Sequence, residues 1–293
     1  MQRTFVAFIN PTTRGNSAKL RRLLEEAAPD DVDLVIHETT ADPISPDLIP
    51  ADPAQIEAVI AVGGDGTVAD VATALGDRSI PLGVIPSGST NIIAKYVGVP
   101  ANPKRAARVI FGQHRTRPID AGICNGKRFL HIAGAGFDSR LFMATNRSLK
   151  RRTGWLAYLP GAARSVFLPP SRFTIDVDGN VLEIASPLVL IANGGAIIHP
   201  SFLIYSSINN ADGLLDVVIF TATSTGGIMR ALARFMTRSL PGSTSVVHLK
   251  GKSIRLSAEP PMPVQLDGDV IGETPAQFTI APEPMQIIVP VKS

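Results

Sequence analysis

Apolar residues in the first part of the chain form short continuous runs, and each run is followed by a turn of small or polar residues and then by helical spacing. Continuous apolar runs of this length are typical of strands that are buried on both faces of a parallel sheet. Repeated strand–turn–helix units therefore predict an open parallel α/β domain, with a ligand bound at the carboxyl ends of its strands. The predicted strands are 5–9, 32–37, 59–62 and 80–85, and helical spacing runs through Leu20 and Leu24 and over 68–75 and 103–111.

The pattern changes after about Arg117, where the apolar runs become shorter and are divided by Gly, Pro, Asn and Asp. Asp178-Gly179-Asn180 is a strong signal for a tight hairpin turn. These features predict a largely antiparallel β domain with two helical segments, at 156–167 and 225–238. We therefore assign residues 1–118 to the α/β domain and 119–285 to the β domain, with 286–293 as a segment that can return to the first. The predicted strands of the β domain are 127–133, 173–177, 181–185, 187–192, 215–220, 253–257, 264–266 and 277–280.

The composition narrows the class of protein. The chain has 293 residues, of which 45% are hydrophobic, and a net charge of +3. These values exclude a disordered chain and do not suggest a nucleic-acid-binding protein. The one cysteine, Cys124, excludes an internal disulfide and a thiolate zinc site, and it is compatible with a reducing compartment such as the cytoplasm. The longest apolar run, 188–198, is too short to span a bilayer and contains Asn193, so any membrane contact is expected to be peripheral.

A glycine-rich turn, Gly63-Gly64-Asp65-Gly66-Thr67, connects the third predicted strand to a helix. Glycines allow the backbone to approach a ligand closely, and the N–H groups and positive dipole of a helix N-terminus attract a phosphate. The Asp65 carboxylate would repel that phosphate unless a cation lay between them, so the turn predicts a phosphate that carries magnesium. An ordinary strand-to-helix turn is the alternative, because such turns are common.

Two more turns of small and polar residues follow predicted strands, at 10–15 and 87–91. The carboxyl ends of parallel strands share one edge of a sheet, so we expect the three turns to converge there. Their N–H groups and the hydroxyl groups of Thr67, Ser89 and Thr90 are suited to a triphosphate, and Asn91 either orders its loop or binds a nucleotide edge. The chain has no GxxxxGK[ST] sequence, which excludes a Walker-type phosphate loop.

Five blocks of sequence stand in the order found in one kinase family. They are GGDGT at 63–67 with Asn10-Pro11 upstream, PSGSTN at 86–91, HIAGAGFD at 131–138, DGLLDV at 212–217 and QLDGD at 265–269. With these blocks the chain resembles the diacylglycerol kinase catalytic-domain family, which includes sphingosine kinases, ceramide kinases and bacterial lipid kinases. The resemblance implies an NAD-kinase-like α/β domain followed by an antiparallel β sandwich. It also implies transfer of the γ-phosphoryl group of ATP to the hydroxyl group of a membrane lipid.

The resemblance further implies roles for residues that match the family's motifs by position. It makes Asp267 the general base that takes the proton from the lipid hydroxyl, and it gives Asp65 to the catalytic magnesium ion. A structural magnesium ion is implied near the DGLLD block, bound by the Asp212 carboxylate and the backbone carbonyls of Asn209 and Leu214. The residues assigned to ATP are Asn10, Thr40, Gly64, Asp65, Gly66, Thr67, Ser89 and Asn91, with Thr39 an equally good match for the position of Thr40.

Two of the assigned aspartates have a simpler interpretation, and two positions depart from the family pattern. Asp212-Gly213 is also a plain turn before a strand, and Asp267-Gly268 is also a signal for a type I′ hairpin. The family's usual acidic residue is replaced by Ile92, and its usual glutamate is replaced by Asp269. The side chain of Asp269 is one methylene shorter than that glutamate, so its carboxylate lies closer to the backbone.

We therefore expect an enzyme that binds ATP and Mg²⁺, acts on a lipid and contacts the membrane only at its surface. The acceptor, diacylglycerol-like or sphingoid, stays open, as does the oligomeric state, for which a homodimer is one option. The alternatives are a kinase of a soluble acceptor, such as NAD, a sugar or a polyol, and a non-catalytic nucleotide-binding regulator. The basic stretch 147–158, which contains the only tryptophan, predicts either docking on anionic lipid headgroups or a solvated loop.

Overall fold

The computed structural model describes residues 3–12, 16–136, 170–197, 199–205, 207–222 and 246–291, together with positions 224, 226, 227, 230 and 234. The chain divides into two compact units. The first comprises Met1–Ile119 and Pro282–Ser293, and the second comprises Asp120–Ala281. The helix expected at 156–167 and the basic stretch 147–158 lie outside the described residues, and the helix expected at 225–238 is described only at isolated positions.

The elements alternate between strand and helix in the first unit and are mostly strands in the second. In chain order the first unit contains β1 (Arg3–Ile9), α1 (Ser17–Ala27), β2 (Val32–Glu38), two 3₁₀ turns (Pro46–Leu48 and Pro53–Gln55), β3 (Ala58–Gly63), α2 (Asp65–Leu75), β4 (Leu82–Pro86), α3 (Ile92–Val97), α4 (Pro103–Phe111) and β5 (His114–Ile119). The second contains β6 (Gly122–Cys124), β7 (Lys127–Phe129), β8 (Ile132–Gly136), β9 (Ser171–Val177), β10 (Asn180–Ser186), β11 (Leu188–Ala192), β12 (Ala196–Ile197), β13 (His199–Leu203), β14 (Leu215–Phe220), β15 (Val246–Gly251), β16 (Ser253–Glu259), β17 (Pro263–Leu266), β18 (Asp269–Glu273) and β19 (Ala276–Ile280), and β20 (Met285–Pro290) then joins the first unit.

The first unit is organised by a six-stranded sheet in the order β2-β1-β3-β4-β20-β5. The pairs β1–β2, β1–β3 and β3–β4 are parallel, whereas β20 is parallel to β4 and antiparallel to β5. Every residue of β3 and β4 is buried, as a continuous apolar run predicts. The predicted parallel α/β sheet is confirmed, and the carboxyl ends of its adjacent strands β1, β3 and β4 lie at one edge.

The second unit is built from two six-stranded sheets with antiparallel pairing. Their orders are β10-β9-β16-β19-β6-β7 and β15-β14-β11-β8-β17-β18. One buried apolar cluster takes Phe173 and Phe278 from the first sheet and Val217 and Val264 from the second. The antiparallel β sandwich predicted from the sequence is confirmed, since side chains from both sheets meet in this core.

Some element boundaries differ from those predicted. Helix α2 begins at Asp65 rather than at Val68, because the Val68 N–H already donates to Gly64 O at 3.1 Å. The run predicted as one strand at 127–133 is two strands, β7 and β8. The sequence does not predict the strands β5, β6, β12, β13, β15, β18 and β20; β5, for example, carries His and Arg at a sheet edge and has no apolar alternation to reveal it. Within the described residues, no helix is both long and apolar enough to cross a bilayer.

Candidate active site

The ends of three adjacent strands meet at one edge of the first unit's sheet. Asn10 follows β1, and its Nδ2 donates to Thr67 Oγ1 at 3.0 Å in the first turn of α2. The Asn10 N–H donates to Val62 O at 3.0 Å, and the Ser87 N–H, after β4, donates to Gly63 O at 2.9 Å. These bonds bring the turns after β1, β3 and β4 together, as expected for parallel strands.

Two glycines in these turns lie too close to their neighbours to carry a side chain, and Gly88 packs against the backbone of Gly64. A Cβ added at Gly88 would lie 2.5 Å from Gly64 Cα, and one added at Gly63 would lie 2.2 Å from Thr67 Oγ1. No side chain fits at these distances, so glycine is required by close approach rather than by an unusual backbone angle. The GGDGT and PSGSTN blocks are therefore parts of one structure.

The start of α2 presents backbone N–H groups at this edge. Its first intrahelical bond joins the Val68 N–H to Gly64 O, so the N–H groups of Asp65, Gly66 and Thr67 precede the helical ladder. The positive end of the helix dipole lies at the same place. This combination suits an anion such as a phosphate group.

Asp65 and Asn91 hold the loop after β4. Asp65 Oδ1 accepts the Ile93 N–H at 3.0 Å, which ties the start of α2 to the start of α3. Asn91 has a left-handed backbone (φ 48°), and its side chain bonds twice to Gly88: Oδ1 accepts the Gly88 N–H at 2.9 Å, and Nδ2 donates to Gly88 O at 2.9 Å. Of the two roles considered for Asn91, ordering the loop is the one visible in its contacts.

The remaining residues assigned to ATP are at the surface of the first unit. Ser89 is exposed in the loop after β4, and Thr40 is exposed after β2. Thr40 Oγ1 accepts the Asp42 N–H at 3.1 Å, whereas the Thr39 N–H donates to Ile9 O at 2.9 Å, beside Asn10. The assignment of Thr39 or Thr40 to the nucleotide remains a prediction.

Asp267 stands in the two-residue turn between β17 and β18. Asp267 (φ 49°) and Gly268 (φ 95°) both have positive φ, as in the type I′ hairpin considered from the sequence. The carboxylate also accepts three backbone N–H groups across the sheet: Leu130 to Oδ2 at 2.9 Å, His131 to Oδ1 at 3.0 Å and Ile132 to Oδ1 at 2.9 Å. The Asp267 side chain thus fixes the backbone between β7 and β8, and its own carboxylate is held in one orientation.

Asp212 lies in the loop before β14, where a structural magnesium ion is implied by the resemblance. Its Oδ1 accepts the Leu214 N–H at 3.2 Å, and its Oδ2 accepts a hydrogen bond from Lys250 Nζ at 2.9 Å. Asp212 therefore forms both the plain turn considered from the sequence and an ion pair. Among the described residues, no group of three or more His, Cys, Asp or Glu side chains could hold a metal ion. Binding of magnesium by Asn209, Asp212 and Leu214 remains a prediction.

Sequence reasoning missed a buried polar cluster beside this loop. Asp216 is fully buried in β14, and its Oδ1 lies 2.6 Å from His248 Nε2 and 3.4 Å from Lys250 Nζ. Burial raises the pKa of the Asp216 carboxyl, while His248 and Lys250 oppose that rise. The pKa of Lys250 is raised, mainly by its hydrogen bond with Asp212. The signal available in the sequence was Asp216, a carboxylate inside an otherwise apolar predicted strand.

A second missed group joins the same loop to the core. Asn193 is fully buried, and its Nδ2 donates to Asp120 O at 2.6 Å and to Leu130 O at 2.9 Å. Asp120 Oδ2 accepts the Gly213 N–H at 2.8 Å, and the Asp120 N–H donates to Asn210 O at 2.6 Å. The interruption of the longest apolar run by Asn193 was the available signal, since a buried amide needs polar partners.

Two family models match this chain over most of its length. The model of the diacylglycerol kinase catalytic domain matches residues 4–124, and that of the YegS C-terminal NAD kinase beta sandwich-like domain matches residues 131–289. The two matched regions correspond to the α/β part and the β-sandwich part described above.

Individual relatives agree with these models. The chain is 31% identical over 246 residues to the diacylglycerol kinase of Bacillus subtilis (strain 168), covering 80% of this chain and 78% of that protein. It is 30% identical over 243 residues to a Pseudomonas aeruginosa protein named probable lipid kinase YegS-like, covering 80% and 77%. It is also 30% identical over 246 residues to the uncharacterized protein sll0036 of Synechocystis, covering 80% of this chain but only 55% of that longer protein.

A crystal structure of a diacylglycerol kinase from Bacillus anthracis str. Sterne has the same fold. The TM-score is 0.75, with 98% of this chain and 96% of that chain covered at 23% identity. Since the Bacillus subtilis diacylglycerol kinase is 31% identical and matched over 78% of its length, and the diacylglycerol kinase catalytic-domain model matches residues 4–124, the chain belongs to the diacylglycerol kinase catalytic-domain family.

Proposed function

We propose that the chain is an ATP-dependent lipid kinase, which transfers the γ-phosphoryl group of ATP to the hydroxyl group of a membrane lipid. The observation that carries this proposal is the joined pair of turns in the first unit. Gly64 and Gly88 pack backbone against backbone, and Asp65 connects α2 to α3. In a member of the diacylglycerol kinase family, such a structure supports a triphosphate site rather than an ordinary strand-to-helix turn.

The nucleotide phosphates would bind to the first turn of α2 and to the loop after β4. The N–H groups of Gly66 and Thr67 suit phosphate oxygens, and Asn10 fixes the Thr67 hydroxyl group at 3.0 Å. The exposed Ser89 hydroxyl group would bind from the neighbouring loop, which Asn91 orders through Gly88. Either Thr39 or Thr40 would complete the nucleotide contacts after β2.

Asp65 is the residue we assign to the catalytic magnesium ion. Its Oδ1 accepts the Ile93 N–H, and within the described residues its Oδ2 has no hydrogen-bond partner. A carboxylate oxygen placed in this way fits a hard cation, bound directly or through water. When bound with ATP, magnesium supplies charge neutralisation at the β- and γ-phosphates.

Asp267 is the residue we assign to proton removal from the acceptor. Its three backbone N–H partners hold the carboxylate in one orientation. In the reaction, the lipid oxygen bonds to the γ-phosphorus and the bond from that phosphorus to the β–γ bridging oxygen breaks. The hydroxyl proton passes to the Asp267 carboxylate, and ADP leaves. Phosphoryl transfer has a loose transition state, so a weak base that accepts the proton late is sufficient.

A basic surface of the first unit supports contact with an anionic membrane. Residues 78–119 contain seven Lys or Arg and no Asp or Glu, although the whole chain carries only +3. Helix α4 buries its apolar face and exposes Lys104, Arg105 and Arg108, and the edge strand β5 adds Arg115. Acidic phospholipid headgroups are the partner that such a surface attracts. We propose that this surface brings the kinase to its lipid.

The deciding experiment is incubation of the purified protein with γ-labelled ATP, MgCl₂ and vesicles that contain a mixed lipid extract. We expect label in an organic-phase product, whose mass spectrum identifies the phosphorylated lipid. Label in a water-soluble product from an added panel of NAD, sugars and polyols would instead support a soluble acceptor. ATP binding by calorimetry with no labelled product of either kind would support a non-catalytic regulator.

A further inference from the structure

Outside the proposed active site, Lys250 pairs with two aspartates. Its Nζ lies 2.9 Å from Asp212 Oδ2, 3.4 Å from Asp216 Oδ1 and 3.4 Å from the Ser207 carbonyl oxygen. A lysine ammonium has three N–H donors, and here it meets three oxygen acceptors. We infer that the Lys250 ammonium takes the place of the structural magnesium ion implied for this loop, so that the loop is held without a metal.

The donor set at Asp212 does not fit a magnesium ion beside this ammonium. Magnesium requires near-octahedral oxygen ligands at about 2.0–2.1 Å. Both Asp212 oxygens are already engaged, Oδ1 by the Leu214 N–H and Oδ2 by Lys250. A divalent cation at Oδ2 would also face the like charge of the ammonium, and among the described residues Asp216 alone adds a second carboxylate at this ammonium. The lysine instead contacts Asp212 Oδ2 and the Ser207 carbonyl oxygen by hydrogen bonds and Asp216 Oδ1 by an ion pair, with a single positive charge.

The fold determines where this ammonium lies. Lys250 in β15 is directly opposite Asp216 in β14, so strand register brings its charge to the buried carboxylate. Asp120 also fixes this loop, since its Oδ2 accepts the Gly213 N–H and its N–H donates to Asn210 O. Two side chains of this protein therefore hold the loop before β14. This role of Lys250 concerns stability alone and is independent of the reaction that the protein catalyses.

Thermal unfolding of the nucleotide-free protein tests the inference. We expect the wild-type melting temperature to be the same within about 1 °C in excess EDTA and in millimolar MgCl₂, since no bound ion is lost. Lys250→Met keeps the aliphatic stem but removes the ammonium, and we expect it to melt about 3–6 °C lower in EDTA. Lys252→Met is the matched control, because Lys252 is exposed and its bond to Asp178 is made by the backbone N–H, which the substitution keeps. The Lys252→Met protein should melt at the wild-type temperature.

A wild-type melting temperature that falls by several degrees in EDTA would overturn the inference, as would a Lys250→Met protein as stable as the wild type. A second measurement does not require that variant to fold. Mn²⁺ titrations followed by electron paramagnetic resonance should give the same number of bound ions for the wild type and for Asp212→Asn. One bound ion fewer in Asp212→Asn would show that the carboxylate binds a metal and would equally overturn the inference.

Discussion

Asp65 and Ile93 are joined by one hydrogen bond, in which the Ile93 N–H donates to Asp65 Oδ1 at 3.0 Å. Asp65 is in the first turn of α2 and Ile93 is in the first turn of α3, so the bond fixes the two helix starts relative to each other. The carboxylate also lies at the positive end of the α2 dipole, which favours its negative charge. The side chain that we assign to magnesium therefore has a positioning role as well.

Replacing Asp65 with asparagine separates these two roles. The Asn oxygen can still accept the Ile93 N–H, whereas the negative charge is lost. We expect a melting temperature within about 2 °C of the wild type and a kcat lower by at least about 100-fold in steady-state assays with saturating MgATP. Asp65→Ala should lose the same activity and also melt at a lower temperature. If Asp65→Asn retains the wild-type kcat, the negative charge is not needed and Asp65 does not bind the catalytic metal.

The contact between Gly64 and Gly88 predicts a graded response to alanine. A Cβ at Gly88 would be 2.5 Å from Gly64 Cα, whereas a Cβ at Gly64 would be 3.3 Å from Gly88 Cα. The first distance forces the two turns apart, and the second requires a shift of only a few tenths of an ångström. We expect the ATP Kd from calorimetry to rise about tenfold or more for Gly88→Ala and much less for Gly64→Ala. Equal affinities in the two variants would show that the backbone packing does not form the nucleotide site.

For Asp267, the prediction must separate catalysis from stability. In Asp267→Asn the amide oxygen can replace Oδ1, but the amide nitrogen then faces the Leu130 N–H. We expect kcat to fall by about 10²–10⁴-fold, as for loss of a general base, with the ATP Kd changed less than about twofold. The melting temperature should also fall, because one buried donor loses its acceptor.

Asp178 provides a matched control for this variant. It also stands in an Asp-Gly hairpin turn with positive φ, and its carboxylate accepts backbone N–H groups of Lys252 and Ser253. Asp178→Asn should therefore lower the melting temperature without lowering kcat. If the two variants lose activity in proportion to their loss of stability, Asp267 is only a structural residue.

Charge reversal on α4 tests the membrane surface. Arg105→Glu combined with Arg108→Glu should reduce cosedimentation with anionic vesicles by about tenfold or more, since each basic residue near the surface contributes about 1 kcal/mol. Arg172→Glu with Arg255→Glu makes the same charge change at exposed positions of β9 and β16 and should leave binding near the wild-type level. Equal losses for the two pairs would indicate a response to net charge rather than to this surface.

The single cysteine reports on the core of the second unit. Cys124 is fully buried, and burial raises the pKa of its thiol from 9.0 to about 11. At about pH 8 its thiolate population is thus about 100-fold smaller than in the unfolded chain. Burial also keeps a thiol reagent from reaching the sulfur. We expect no reaction of the native protein with Ellman's reagent in minutes and one thiol per chain in guanidinium chloride. Rapid labelling of the native protein would contradict the burial of Cys124.

Local patterns in the sequence were sufficient for the fold class. The buried run at 59–62 indicates a strand, and the glycines that follow it indicate a turn and a helix start; the structure confirms both in β3 and α2. Strands and turns of this kind can be predicted because side-chain periodicity and turn chemistry involve residues that are close in the chain. Edge strand β5 was missed because its polar sequence carries no such periodic signal.

The chemical partners of the key side chains were decided by tertiary structure. Asp267 was identified from its motif, but its three donors come from residues more than 130 positions earlier, through the pairing of β17 with β8. Asp212 was read as a magnesium ligand or a turn, and only the register of β14 with β15 brings Lys250 to it. The sequence thus determined which elements and motifs exist. Sheet order and register, which depend on contacts between distant residues, decided which charges and donors surround each motif.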